Sequence, residues 1–312
     1  MKTDSTILVT GAGGVLGAAI LSELRKQGHE TILAPTKAEL NCLDEGDIER
    51  YFDRHRPTHV FHLASLVFGI KGNLQNQALS FKANTLMSLY VLDACAKYGV
   101  EKVFFAGTVA SYAFPYISLP LQEKHFWMGA PHAGEYGYAL AKRGSLGHLQ
   151  ILRQSFGMDF CYGIFTNLYG PHDKFNTETG HVIPSLVVKT VRAEAEADAV
   201  LEVWGKPQTT RDFLYADDAA QAAILAMEKH SGEINIASGL ETTMGALVDA
   251  LSKSATRTLQ VKWVSDQPVG IPKRHCDVSR LQSLGFTLRY SLEAGIGETL
   301  QWYRANAWNA RT

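Results

Sequence analysis

Short, nearly unbroken apolar runs alternate along this chain with longer segments in which apolar positions recur every three to four residues. Ile7-Leu-Val-Thr10 reads as a buried strand, followed by a glycine-rich turn and a helix over about 15–27. Thr31–Ala34 and His59–Leu63 are further strands, the second lying after Pro57 has closed a helix. A helix near 82–98 leads to a strand at Lys102–Ala106, and a helix over about 136–156 leads to a strand at Asp159–Phe165. This alternation predicts an α/β fold: a doubly wound parallel sheet with helices on both faces. After Gly170-Pro171, short strands (Leu201–Trp204, Gln260–Trp263) alternate with helices around 182–196, 243–252 and 291–306. Asp217 or Asp218 is placed to cap an Ala-rich helix running to about His230. The expected division is a first domain of 1–170 with a return segment at 210–238, and a smaller α/β lobe made of 171–209 and 239–312.

The 30 Lys and Arg residues nearly balance the 31 Asp and Glu residues, for a net charge of −1, so a basic face for nucleic-acid binding is not expected. With 46% apolar and 20% charged residues, the chain has the composition of a folded, water-soluble protein. Cys42, Cys95, Cys161 and Cys276 stand singly, which excludes a Cys-x-x-Cys metal or redox motif and suits reduced thiols. The uncharged run Ile7–Leu21 has the length of a signal-peptide core. It carries four glycines, Asp4 stands just upstream, and no cleavage site is evident before Ser22-Glu23. No apolar run reaches the roughly 20 residues of a membrane-spanning helix. The expectation is a cytoplasmic protein with no membrane partner.

The turn after the first strand reads Thr10-Gly11-Ala12-Gly13-Gly14-Val15-Leu16-Gly17. Gly11 permits the tight turn, Gly14 lets a pyrophosphate approach the backbone, and Gly17 lets the helix pack on the strand. The helix N-terminus, with Val15 and Leu16, then faces the phosphates. Any ligand-free turn can be glycine-rich; the strand–loop–helix order at the head of a βα series is what points to a dinucleotide. At the end of the second strand Pro35-Thr36-Lys37 replaces the acidic residue that would take the ribose hydroxyls of NAD(H). A lysine and a hydroxyl suit a 2′-phosphate, which favours NADP(H), with NAD(H) left open. Asp44 could lie beside the adenine or cap the next helix, and Leu63 and Ala64, at the end of the third strand, complete the candidate cofactor set.

Tyr138-Ala-Leu-Ala-Lys142 places a phenol and an ammonium on one helix face. Hydride transfer to a carbonyl needs a proton delivered to its oxygen, and Lys⁺ together with a cofactor's positive ring would lower the phenol's pKa towards working pH. Thr108 lies where a hydroxyl can hold that carbonyl. A lone Tyr-x-x-x-Lys is often an ordinary i,i+4 pair; the glycine loop and the upstream hydroxyl make the combination specific.

With these residues assembled, the chain resembles the extended short-chain dehydrogenase/reductases of the nucleotide-sugar branch, and most of all the GDP-L-fucose synthases, nearly end to end. The similarity is carried by Glu39–Asp44, Thr166–His172, Gly180–Pro184, Val203–Gly205, Arg211–Asp218, Ile234–Gly239 and Asp277–Leu281. It implies a Rossmann fold with a smaller substrate lobe, a homodimer built through a helix bundle, and a GDP-linked 4-keto sugar as substrate. It matches Thr108, Tyr138 and Lys142 to the reductase triad and Asn167 and His181 to residues facing the sugar. Lys189, Trp204, Arg211 and Arg274 match positions near the nucleotide and its diphosphate.

Two departures stand out. Where the family carries Gly-Ser-Ser-Cys, with the cysteine working beside the histidine in C3/C5 epimerisation, this chain reads Gly107-Thr108-Val109-Ala110. Alanine has no proton to move, and Ser111 is a poor base near neutral pH. Gly13 also stands where the synthases carry an arginine that assists the cofactor. The leading expectation is therefore a C4 reductase of a 4-keto-6-deoxy hexose or heptose that leaves C3 and C5 alone. The alternatives are a bifunctional synthase, a 4-dehydrogenase/epimerase with tightly bound NAD, and a non-catalytic NADP(H) sensor.

Overall fold

The computed structural model describes residues 1–264 and 271–312. In chain order the first half contains β1 (Thr6–Thr10), α1 (Val15–Lys26), β2 (Thr31–Leu33), α2 (Glu45–His55), β3 (His59–His62), α3 (Ile70–Gln75), α4 (Gln77–Lys97), β4 (Lys102–Thr108), α5 (Tyr136–Phe156) and β5 (Asp159–Phe165). There follow β6 (Asn167–Tyr169), α6 (Val182–Ala195), β7 (Val200–Trp204), β8 (Thr210–Arg211), β9 (Phe213–Tyr215), α7 (Ala216–Lys229), β10 (Gly232–Ile236), β11 (Thr242–Thr243), α8 (Met244–Ser254), β12 (Gln260–Val264), α9 (Ser279–Ser283) and α10 (Leu292–Asn306).

Six of the strands form one parallel sheet in the order β2-β1-β3-β4-β5-β10. Its central strands are buried on both faces, as their unbroken apolar runs require. One face is covered by α1 and α7, whose Leu16, Ile20, Ala219 and Ala223 share a core with Val9, Phe61 and Phe104. The other is covered by α4 and α5, where Val91, Leu92, Leu146 and Leu149 meet Val60, Val103 and Phe105. This is a doubly wound, Rossmann-type sheet, and the strand order reverses between β1 and β3, the position where such sheets open a ligand crevice.

A third core gathers α6, α8 and α10 over the small pairs β6/β9 and β7/β12, and a further two-stranded pair, β8/β11, leads directly into α8. Leu281 and Phe286, placed in the smaller lobe by sequence, pack instead on the α1/α7 face of the large sheet. Two further expectations change. The Ala-rich helix begins at Ala216 with Tyr215 at its N-cap and no side-chain cap. Asp217 and Asp218 lie inside its first turn, where the helix dipole favours them. Asp218 is fully buried and takes the Arg289 and Tyr290 backbone N–H groups at 3.1 Å. The helix expected near 82–98 starts at Gln77, directly behind α3.

Candidate active site

The crevice is built by the ends of β1 and β3. Gly11 has φ +70°, and a Cβ there would come within 2.8 Å of the Ala64 nitrogen. A Cβ on Gly17 would be driven into the Gly11 carbonyl oxygen, so α1 approaches the turn only because this residue is glycine. Gly14 is the N-cap of α1 and supplies no side-chain cap, which leaves the first-turn N–H groups of Val15, Leu16 and Gly17 for a ligand. The Leu16 side chain is buried in the core, so this residue can serve a ligand only through its backbone. The space and donors of this cradle fit a dinucleotide's diphosphate.

Thr10 ties the two strand ends together. Its hydroxyl accepts from the N–H groups of Leu63 and Ala64, both at 3.2 Å, so its own proton goes to His62 Nδ1 at 2.9 Å. The ring proton of His62 therefore resides on Nε2. Burial holds this imidazole neutral, its pKa pushed down to about 3, with the Lys142 charge adding to the effect.

At the far end of the crevice the expected 2′-phosphate determinants separate. Lys37 is exposed, whereas the Thr36 hydroxyl and N–H both donate to Glu39, at 2.9 and 2.7 Å. A carboxylate thus stands beside Thr36, brought back by the turn after β2. Asp44 takes the capping role: it accepts from Asp47 N–H at 2.9 Å at the start of α2.

Tyr138 and Lys142 lie in the first two turns of α5. The Lys142 ammonium is buried, 5.8 Å from the Tyr138 ring centroid and 4.7 Å from that of Phe105. Burial lowers its pKa to about 7. Burial also raises the Tyr138 phenol to about 12, partly offset by a hydrogen bond with Ser65. The phenol thus lies above its ordinary value, because desolvation of a phenolate, with the Glu135 charge adding to it, outweighs the Ser65 hydrogen bond. Ser65 donates to Asn84 Oδ1 at 2.7 Å, so its oxygen is left to accept from the phenol. Asn84 also takes Leu66 N–H and returns a bond to Leu66 O, fixing the loop after β3.

Thr108 ends β4 and accepts from Ala110 N–H at 3.2 Å, which leaves its hydroxyl proton unused there. Ala110 is buried, and Ser111 is fully buried with its hydroxyl donating to the Ala139 carbonyl at 3.1 Å. His181 is exposed at the N-cap of α6 and caps nothing. The segment before it touches the loop after β3 through Gly69 N–H to Thr179 O, 3.1 Å.

The nucleotide-side residues fall into two groups. Arg274 is buried and bonds Tyr116 Oη at 2.7 Å and Glu135 at 2.5 and 3.3 Å. Burial lowers Arg211 to about 10, and the neighbouring Arg274 adds to this. Burial raises Glu135, but the Arg274 charge outweighs it and keeps the carboxyl below its usual value. Two guanidiniums against one carboxylate leave an uncompensated positive charge. Lys189 and Trp204 form the second group, with the ammonium 4.4 Å over the indole. Asn167 commits its Nδ2 to the Asp212 carbonyl at 2.9 Å.

Residues 7–237 match the NAD dependent epimerase/dehydratase family. The chain belongs to that family. Among its relatives, GDP-L-fucose synthase 1 of Arabidopsis thaliana is 32% identical over 98% of this chain and 95% of its own length. GDP-L-colitose synthase of Yersinia pseudotuberculosis is 29% identical, covering 95% and 97%. The crystal structure of a GDP-L-fucose synthetase from Naegleria fowleri superposes with a TM-score of 0.91 at 26% identity, covering 100% of this chain and 97% of that one. Beside the expected residues, the structure of this epimerase/dehydratase member places Ser65, Asn84, Glu135, Tyr116 and Arg143, which the sequence did not single out, and gives Glu39 a contact with Thr36 that it did not foresee. Arg143 directs its guanidinium to the carbonyls of Ser111, Gly129 and Phe126 at 2.6, 2.6 and 2.8 Å. On a helix surface, an arginine after the Tyr/Lys pair reads only as another cation.

Proposed function

We propose that the chain is an NADPH-dependent C4 reductase of a GDP-linked 4-keto-6-deoxy sugar, hexose or heptose, that does not epimerise C3 or C5. The carrying observation is Ala110, which stands where the epimerising relatives of the resemblance have a cysteine. Ser111 offers no substitute, because its hydroxyl is fully buried and donates to a helix carbonyl. Epimerisation needs a base on one face of the sugar and an acid on the other, and His181 alone supplies one of the two.

When bound, NADPH supplies the hydride that reaches C4. Tyr138 gives the proton to the C4 oxygen, and a phenol held near pKa 12 is fully protonated at neutral pH, as a donor must be. Thr108 directs its free hydroxyl proton at the carbonyl, and Lys142 orients the cofactor ribose and the phenol. Arg211 and Arg274 take the substrate diphosphate, whose negative charge answers their uncompensated cation; Lys189 and Trp204 lie towards the nucleotide; Asn167 and His181 face the sugar. The bifunctional reading remains the alternative outcome of one experiment. GDP-4-keto-6-deoxymannose is reduced with NADPH in deuterium oxide, and the product is examined for carbon-bound deuterium. Reduction with protium retained at C3 and C5 is expected; deuterium there with inverted configuration makes the protein a bifunctional synthase. Tyr138→Phe is expected to lose at least 10²-fold in kcat while still binding cofactor.

A further inference from the structure

The glycine turn has no cationic side chain of its own: Gly11-Ala-Gly-Gly14 precedes α1, and no acidic residue stands in its first turn. The structure brings a cation from a distant part of the chain. Arg311 lies beyond α10, and its Nη1 stands 3.5 Å from where a Cβ on Gly14 would be. The segment is held in place rather than loosely draped. The Arg311 carbonyl accepts Phe175 N–H at 2.7 Å, and the Phe175 ring stacks on Trp302 and Tyr303 of α10 at 5.6 and 4.7 Å. Arg311 is itself exposed and makes no ion pair among the described residues. Asp173, buried with an unpartnered Oδ2, feels the charges of His181 and Arg311.

We propose that Arg311 is a cofactor-binding residue whose guanidinium closes over the diphosphate seated on the N-terminus of α1. The proposal rests on the reading that the chain binds NADP(H). The diphosphate would lie between two kinds of donor: the N–H groups of Val15, Leu16 and Gly17 beneath it, and a guanidinium fork on its solvent side. Since the diphosphate is common to both dinucleotides, Arg311 contributes equally to NADP(H) and NAD(H). A contact with the 2′-phosphate would not.

The test is cofactor binding without sugar substrate. Dissociation constants for NADP⁺ and NAD⁺ are measured by titration calorimetry on the wild type, Arg311→Gln and Arg311→Lys, with thermal melting of each. Arg311→Gln is expected to weaken both dinucleotides by about the same factor, on the order of tenfold. Arg311→Lys should fall between, and Arg311→Gln should flatten the dependence of affinity on salt. Unchanged affinity with a lowered melting temperature overturns the proposal and makes Arg311 only a structural neighbour of Asp173. A loss confined to NADP⁺ overturns it by moving the contact to the 2′-phosphate. A wild type that binds neither dinucleotide removes the underlying reading and the proposal together.

Discussion

Arg143 and Lys142 are consecutive cations on α5 with opposite duties. The Arg143 side chain is buried and its three bonds to Ser111, Gly129 and Phe126 shape the segment that follows the Thr108 hydroxyl. Charge-assisted bonds contribute about 1.5–3 kcal/mol each against an unpaired carbonyl. Arg143→Met is therefore expected to lower the unfolding free energy by about 3 kcal/mol or more, read by denaturant unfolding, and to depress kcat through misplacement of Thr108. Lys142 has the reverse sign for stability. Its folded pKa of about 7 lies below the ordinary lysine value, so the folded protein carries the full penalty of a buried ammonium at pH 7 and below. Between about pH 7 and 10.5 the unfolded chain binds the extra proton, and stability from this group rises with pH. Lys142→Met should accordingly melt higher than the wild type at pH 7, by a margin that shrinks towards pH 10. The Tyr138/Lys142 pair was legible because i,i+4 spacing puts both on one face. Arg143, Glu135 and Ser65 were not, since their partners lie 14 to 139 positions away and leave no local trace.

At the level of elements, legibility followed the clarity of the period. The α5 bounds read from sequence, 136–156, coincide with the helix, which Gly157 ends in a left-handed conformation at φ +72°. The α4 start was missed for a physical reason. This helix buries Ser80, Asn84 and Ser88 inward and exposes Leu79, Phe81 and Leu89, so the apolar periodicity cancels. The Asp217/Asp218 cap failed similarly: Asp218 serves Arg289 and Tyr290 across the fold, a tertiary demand that overrides capping preference. Where α4 and α5 begin, Gly137 allows close approach, because a Cβ there would strike the Gln77 carbonyl, while Gln77 Oε1 accepts Gly137 N–H at 2.7 Å. Gly137→Ala is expected to push the first turn of α5 outward and cost about 1–3 kcal/mol. Because Tyr138 is the next residue, kcat should fall with it, and steady-state kinetics beside thermal melting checks both.

Over the whole molecule, the doubly wound parallel sheet was readable from the strand pattern, whereas its strand order and the interlocking of the third core with the rest were not. Asp212 shows why: its carbonyl receives Thr166 and Asn167, and its carboxylate receives Ser238, Gly239 and Cys276, stitching distant segments through one buried residue. We propose a homodimer through α4 and α5, which carry exposed Leu79, Leu89, Ile151 and Phe156. Sedimentation velocity should show a dimer for the wild type and a smaller species for Leu89→Glu with Ile151→Glu.

The sheet order has one more consequence, for the nascent chain. β5 is complete at Phe165, but its outer neighbour β10 does not exist until Gly232–Ile236 has been made, and the intervening residues travel out to the third core and return. During synthesis, therefore, Asp159–Phe165 can pair with β4 on one side while its outer edge stays open. An edge left open over that interval is a template for pairing with another chain, and β10 is what closes it.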